Sequence, residues 1–270
     1  MSLQKLVRTC SFSIDNTPLK EHYHDEYELL YVKKGHAKLC VESKNYTLSA
    51  GTLVFLSRQE DHRLYDLSCD YERYFVIIYA NALDLLISHP WLSSLFRNRP
   101  TSFSHIYNML PLAKQIEECF VKMVSEFQTD DAHSQSLFSY FLQEVLIYTE
   151  RLFPNSCPAV MTEIDEEIHK IQMYIDKNCF ENIKIAEIAA KHYISSQYLT
   201  SCFRKRTGYS PKQYLTNTRM SLAKSLLLDT TLPVQTICFK CGFGDVNNFI
   251  RLFKKHTGTT PNKYRKSKSL

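Results

Sequence analysis

The chain has 270 residues, 44% of them hydrophobic and 23% charged, with a formal net charge of +5. That length accommodates two ordinary domains, and the composition excludes a disordered tail of any length. No run approaches the ~18 uninterrupted apolar residues of a membrane span, and residues 1–10 lack the apolar stretch of a secretory signal, so a cytoplasmic protein with no membrane partner is expected.

Taken in chain order, the first segments read as strands. Short β-rich runs at 27–33, 37–42, 46–48, 52–56 and 71–80 are separated by breaks such as Lys34-Gly35 and Ser49-Ala50-Gly51. Closely spaced short strands predict a barrel or sandwich. From 82 to 153 the pattern turns helical. Ile116, Phe120, Met123 and Phe127 form one stripe, and Leu137, Phe141, Val145 and Tyr148 another. Pro154-Asn155-Ser156-Cys157-Pro158 then breaks any helix. The expected division is residues 1–153, a linker at 154–163, and a second domain at 164–270. Charge follows that division. From residue 160 onward there are 18 Lys and Arg against 9 Asp and Glu, and before it 15 against 19. A basic half joined to a mildly acidic one points to a polyanion as partner of the basic half alone.

The nine cysteines are odd in number and scattered, which fits reduced thiols rather than a disulfide framework. Cys238 and Cys241 have CxxC spacing, but no second ligand pair follows at a zinc-like interval, so small core residues are the expected reading.

Beyond the linker the chain repeats itself at an offset of 50. Phe203-Arg204-Lys205 matches Phe253-Lys254-Lys255, Thr207-Gly208 matches Thr257-Gly258, Pro211 matches Pro261 and Tyr214 matches Tyr264. Upstream, Ile188-Ala189 corresponds to Ile237-Cys238. Each copy reads as helix, tight turn, helix. Ser195 and Asp245 are the N-caps of the second helices, and Gly208 and Gly258 the stops. A long helix over 212–228 joins the copies. As a rigid connector it would set the two second helices ~34 Å apart, one turn of duplex.

The free faces of the second helices carry the chemistry. Ser196, Gln197, Thr200, Ser201 and Arg204 in the first copy, and Asn247, Asn248, Ile250, Arg251, Lys254 and Lys255 in the second, are the expected DNA-binding residues. Gln and Asn can bond both edge groups of adenine, Arg those of guanine, and an apolar side chain can touch a thymine methyl. Lys205, Arg206, Lys255 and His256, nearer the helix ends, are expected on phosphates. A solvated polar face on a structural hairpin would show similar residues. Duplication, caps and the basic balance favour readout.

The run carrying Ile188-Ala189, Ser195, Leu199, Phe203-Arg204-Lys205, Gly208, Pro211, Tyr214, Arg219, Ala223, Leu227, Gly242-Phe243, Asp245, Phe249, Arg251, Phe253-Lys254-Lys255, Gly258, Pro261 and Tyr264-Arg265 resembles the DNA-binding domain of the AraC/XylS family of bacterial regulators. The resemblance implies two helix-turn-helix units that bind double-stranded promoter DNA and act on RNA polymerase, usually as an activator. Residues 111–153 resemble the family's dimerisation helices, which makes a homodimer the expectation and the two stripes its candidate interface, the alternative being that both stripes simply cover the barrel. The fold expected is α+β in two domains: an N-terminal cupin-like β-barrel with flanking helices, and a C-terminal all-α tandem helix-turn-helix domain of homeodomain-like units.

In the N-terminal domain His22, His24 and Glu28 lie at even intervals, so an extended chain points all three to one face with Leu30 and Val32. With Gly35, Gly51 and His62 they resemble the two motifs of a cupin barrel, Ser57 standing where a proline is usual. Three readings follow. His22, His24, Glu28 and His62 line an effector pocket for a small polar molecule, sugars among the candidates. They are structural residues at a barrel rim. Or they hold a metal. The effector pocket ranks first and metal last, so neither cofactor nor catalysis is expected. The alternative is a metal-dependent cupin enzyme or metal sensor fused to a DNA-binding module. A DNA-repair alkyltransferase ranks lower still, because its Pro-Cys-His-Arg run is absent.

Overall fold

The structure is a computed structural model and describes residues 2–18, 26–41, 44–58, 60–97, 103–154 and 162–267. The chain divides into two compact units, residues 1–162 and 163–270. Among the described residues no helix is long and apolar enough to cross a membrane.

The first unit is built on eight strands: β1 (Val7–Ser13), β2 (Tyr27–Lys34), β3 (His36–Val41), β4 (Lys44–Ser49), β5 (Thr52–Leu56), β6 (His62–Tyr65), β7 (Glu72–Ile78) and β8 (Ile106–Asn108). They form a five-stranded sheet in the order β1-β7-β2-β5-β8 and a three-stranded sheet in the order β4-β3-β6, with antiparallel pairing throughout. Strand β2 shows why the sheet needs covering on both sides. Its residues from Tyr27 to Val32 are all buried. Because side chains alternate, Tyr27, Leu29 and Tyr31 enter one core and Leu30 and Val32 the other. The core holding Leu30 and Val32 lies between the sheets with Ala37, Leu39, Val41, Leu48, Val54, Leu56, Leu64 and Tyr71. The core on the opposite face is closed by four helices, α1 (Leu83–Leu86), α2 (Pro90–Arg97), α3 (Ala113–Thr129) and α4 (Ser134–Leu152).

Two expectations change here. Strand β8 interrupts the stretch read as helical, and β1 and β6 extend a set that sequence pattern alone left incomplete. The helix stripes also find their cover within the chain. Ile116, Phe120, Met123 and Val145 are fully buried, and Phe120 stacks on Tyr31 and Tyr74 at centroid distances of 5.6 and 5.7 Å. Phe127, Phe141 and Tyr148 pack half-buried against the same core. These stripe residues therefore pack on the core of the first unit, while Leu137 stays 40% exposed.

The second unit contains α5 (Glu163–Asn178), α6 (Ile185–Lys191), α7 (Ser196–Thr207), α8 (Pro211–Asp229), α9 (Val234–Lys240), α10 (Val246–Thr257) and α11 (Pro261–Ser267). It has two small cores. Ile168, Ile171, Ile175, Ile188, Leu199, Phe203 and Leu215 make the first. Met220, Ala223, Leu227, Ile237, Cys238, Cys241, Phe249 and Phe253 make the second. Helix α8 serves both, and Leu222 touches each. Cys238 and Cys241 are core thiols: burial pushes Cys238 up and Cys241 up to about 12, which keeps both protonated.

Candidate nucleic-acid interface and barrel site

The two helix hairpins of the second unit share their local chemistry. Ser195, extended at ψ 149°, accepts a hydrogen bond from Tyr198 N at 3.1 Å, and Asp245 accepts one from Asn248 N at 2.6 Å. Each satisfies an amide that the first helical turn would otherwise leave unbonded. Gly208 and Gly258 close α7 and α10 at φ 79° and 72°. Thr207 and Thr257 each donate back to a phenylalanine carbonyl at 2.8 Å, those of Phe203 and Phe253. Those two rings meet Tyr214 and Tyr264 edge-on at 5.4 Å. The following helix begins at Pro211 or Pro261.

With Leu199, Phe203, Phe249 and Phe253 locked inside, the opposite faces of α7 and α10 meet solvent. Ser196, Gln197, Thr200, Ser201, Arg204 and Lys205 are exposed on the first, and Asn247, Asn248, Arg251, Lys254 and Lys255 on the second. Ile250 is half-buried and packs on the second core. Thr200 donates its hydroxyl to the Ser196 carbonyl at 2.8 Å. Arg251 Nη2 donates to Asn248 Oδ1 at 2.9 Å, so one edge of the guanidinium is held by its own helix.

One expected phosphate contact changes character. Arg206 turns inward to an ion pair with the buried Asp165 at 2.6 Å, because α5 packs beside α7. His256 stays on the exposed side of α10, its imidazole held below its ordinary value by desolvation and by the charges of Lys224 and Lys255.

The copies are joined by a clamp that the sequence did not announce. Arg219, in the middle of α8, donates from Nε to the Cys179 carbonyl at 2.7 Å and from Nη2 to the Glu181 carbonyl at 2.6 Å, and its guanidinium lies 5.5 Å from the Phe243 ring. Gly242, in the turn of the second hairpin, sits against the same loop. A Cβ there would come within 2.7 Å of the Phe180 carbonyl oxygen and 2.8 Å of that of Cys179.

In the barrel, Glu28 and His62 meet. His62 Nε2 is 3.4 Å from Glu28 Oε2, and Nδ1 lies 2.9 Å from the Glu60 carbonyl. Glu60 itself accepts from Ser57 N at 2.7 Å and faces His105 Nε2 at 3.2 Å, while His105 Nδ1 bonds the Tyr46 hydroxyl at 2.8 Å. Burial pulls the His62 imidazole down, but the hydrogen bond and charge of Glu28, with help from Glu60, overcome it and leave the group above its ordinary value. His22 and His24 lie outside the described residues. Among the described residues no group of three or more His, Cys, Asp or Glu is placed to hold a metal ion. Glu60, His105 and Tyr46 escaped sequence reading because they meet only through the tertiary fold, His105 being 45 positions from Glu60 and 59 from Tyr46.

Comparison with known proteins places both units. Residues 188–267 match the helix-turn-helix domain family, and residues 16–70 match the cupin domain family. The HTH-type transcriptional activator RhaS of Klebsiella pneumoniae (strain 342) is 24% identical over 251 residues, covering 92% of this chain and 88% of that protein. The HTH-type transcriptional regulator YdiP of Escherichia coli (strain K12) is 27% identical over 279 residues, covering 97% and 87%. A 1.65 Å structure of ToxT from Vibrio cholerae superposes with a TM-score of 0.59 at 15% identity, over 95% of this chain and 96% of that one, a likeness of fold alone.

Proposed function

Starting from the fact that the chain belongs to the AraC/XylS family of transcription regulators, with a cupin domain ahead of a helix-turn-helix DNA-binding domain, we propose that it is an activator whose hold on promoter DNA answers to a small effector in the N-terminal barrel. The observation that carries the DNA half is the duplicated, capped helix with an exposed polar row. On this reading residues 1–153 sense and residues 164–270 read. Gln197, Thr200, Ser201 and Arg204 enter one major groove, and Asn247, Arg251 and Lys254 the next. Ser196, Lys205, Asn248 and Lys255 bind backbone phosphates, and Ile250 contributes its outer edge to a thymine methyl. The protein works in the cytoplasm as a homodimer on paired half-sites, in contact with RNA polymerase. Activation is favoured by the relatives named as activators. An effector pocket is favoured by the buried polar groups Glu28, His62, Glu60 and His105 between the sheets.

Selection of bound genomic fragments, followed by footprinting with and without candidate effectors, tests both halves. A discrete motif with two patches one turn apart is expected, with effector changing the length or affinity of the footprint. Sequence-blind binding defeats the first half, and an effector-independent footprint the second.

A further inference from the structure

Arg73 stands on β7, opposite Ser13 of β1 and Val32 of β2. Val32 belongs to the core between the sheets, and directly paired residues share a face, so Arg73 points into that interior. It is only 7% exposed. Its guanidinium lies 5.7 Å from the Tyr71 ring and 5.6 Å from that of Phe75. Nη1 is buried with no hydrogen-bond partner, and the hydroxyl of Tyr71, a residue 1% exposed, is buried without one as well. Two other arginines are neutralised by carboxylates: the buried Arg97 pairs with Asp84 at 2.8 Å, and the half-buried Arg206 with Asp165. Arg73 forms no ion pair with a described residue. Asp15 lies near enough to feel its charge but is fully exposed.

A buried cation with no carboxylate in direct ion-pair contact is costly to keep, and neutral hydroxyls do little to offset it. Two aromatic rings occupy positions over the guanidinium, which leaves its edge as the free surface. That edge, with its fork of N–H groups, matches the two oxygens of a carboxylate. The Tyr71 hydroxyl adds a donor. Burial pushes its phenol up to about 12, opposed by the charge of Arg73 and by a side-chain contact with it, and Glu28 adds to the rise, so it keeps its proton. Glu28 is thus close enough to act on groups here, and its charge disfavours a doubly charged guest.

We propose that the barrel's effector is a small organic monocarboxylate, held edge-on by Arg73 with a further bond from the Tyr71 hydroxyl, its apolar body among Leu30, Val32 and Phe75. The assignment rests on the reading of the barrel as the effector site and names the class of molecule it takes.

The test uses the full-length protein with four probes, benzoate, hexanoate, benzamide and hexanamide, and glucose as a neutral sugar control. Thermal unfolding and affinity for a selected DNA fragment are both measured. At least one carboxylate is expected to raise Tm where its amide does not. Arg73→Met, which keeps the stem and removes the charge, should weaken that carboxylate by on the order of 100-fold, and Tyr71→Phe by about tenfold. Arg73→Met should leave the Tm of the ligand-free protein unchanged or higher. A structural arginine would instead lower it, and that result overturns the assignment, as does an equal response to acids and amides or no response to either. A neutral sugar that shifts Tm and DNA affinity equally in wild type and Arg73→Met defeats the carboxylate but keeps the effector site. DNA affinity indifferent to a probe that does bind defeats the effector reading alone.

Discussion

Tyr193 and Gly242 hold the same place in the two hairpin turns, and both have left-handed backbones, at φ 53° and 79°. A side chain in that region costs about 1–2 kcal/mol, yet only one of the two could shed it. Gly242→Ala would press a methyl onto two carbonyl oxygens, so a loss of about 2–3 kcal/mol in denaturant unfolding of the second unit is expected. Tyr193→Gly should move stability by less than about 1 kcal/mol, since relief of strain is offset by the freedom glycine regains when unfolded. His62 is a buried titratable imidazole. Its folded value stands above the ordinary 6.5, so its contribution is complete below 6.5 and is lost as pH rises through the folded value. Unfolding midpoints of the first unit should fall over that window, and His62→Gln should flatten the profile. On DNA, Arg251→Ala should cost about 1–3 kcal/mol at the selected site and relax preference at one base pair. Lys255→Ala should weaken all sequences alike and reduce the slope of log affinity against log salt by about 1. Equal, sequence-blind losses from both would place the reading face elsewhere on α10.

Elements differed in how openly the sequence displayed them. The second unit was readable because its helices carry local signals: Ser195, Asp245, Pro211 and Pro261 at starts, Gly208 and Gly258 at ends, and the same apolar spacing twice. Short barrel strands lack such punctuation. β6 and β8 are four and three residues long, and only pairing with β3 and β5 defines them. The same cause hid Arg73, His105 and Glu60, whose neighbourhood depends on which strands pair. A helix stripe, too, reports that a face is covered without saying by what, and Ile116 and Phe120 turned out to face the sheet. For α8 the expected connector gained a function in Arg219. Arg219→Lys keeps the charge but cannot reach two carbonyls in a fixed fork, so a loss of about 1–3 kcal/mol is expected in unfolding of the second unit. Affinity for a site with both patches should fall more than affinity for one patch alone, as gel-shift titrations would show.

At the scale of the whole molecule, each unit has cores of its own, and the basic excess belongs to one of them. A fragment spanning residues 163–270 should therefore fold and keep the salt dependence of the full chain on DNA, while losing any response to effector. A fragment that unfolds would mean that the first unit contributes to the stability of the second.

The grip of Arg219 falls on main-chain oxygens, and this has a consequence for how the protein can vary over generations. Cys179 and Glu181 offer it only the carbonyls that almost any residue would offer. The exposed Glu181 side chain is therefore free to drift among related genes without disturbing that grip, whereas the buried Cys179 answers to its core as well, and Arg219 and Gly242 must be inherited together.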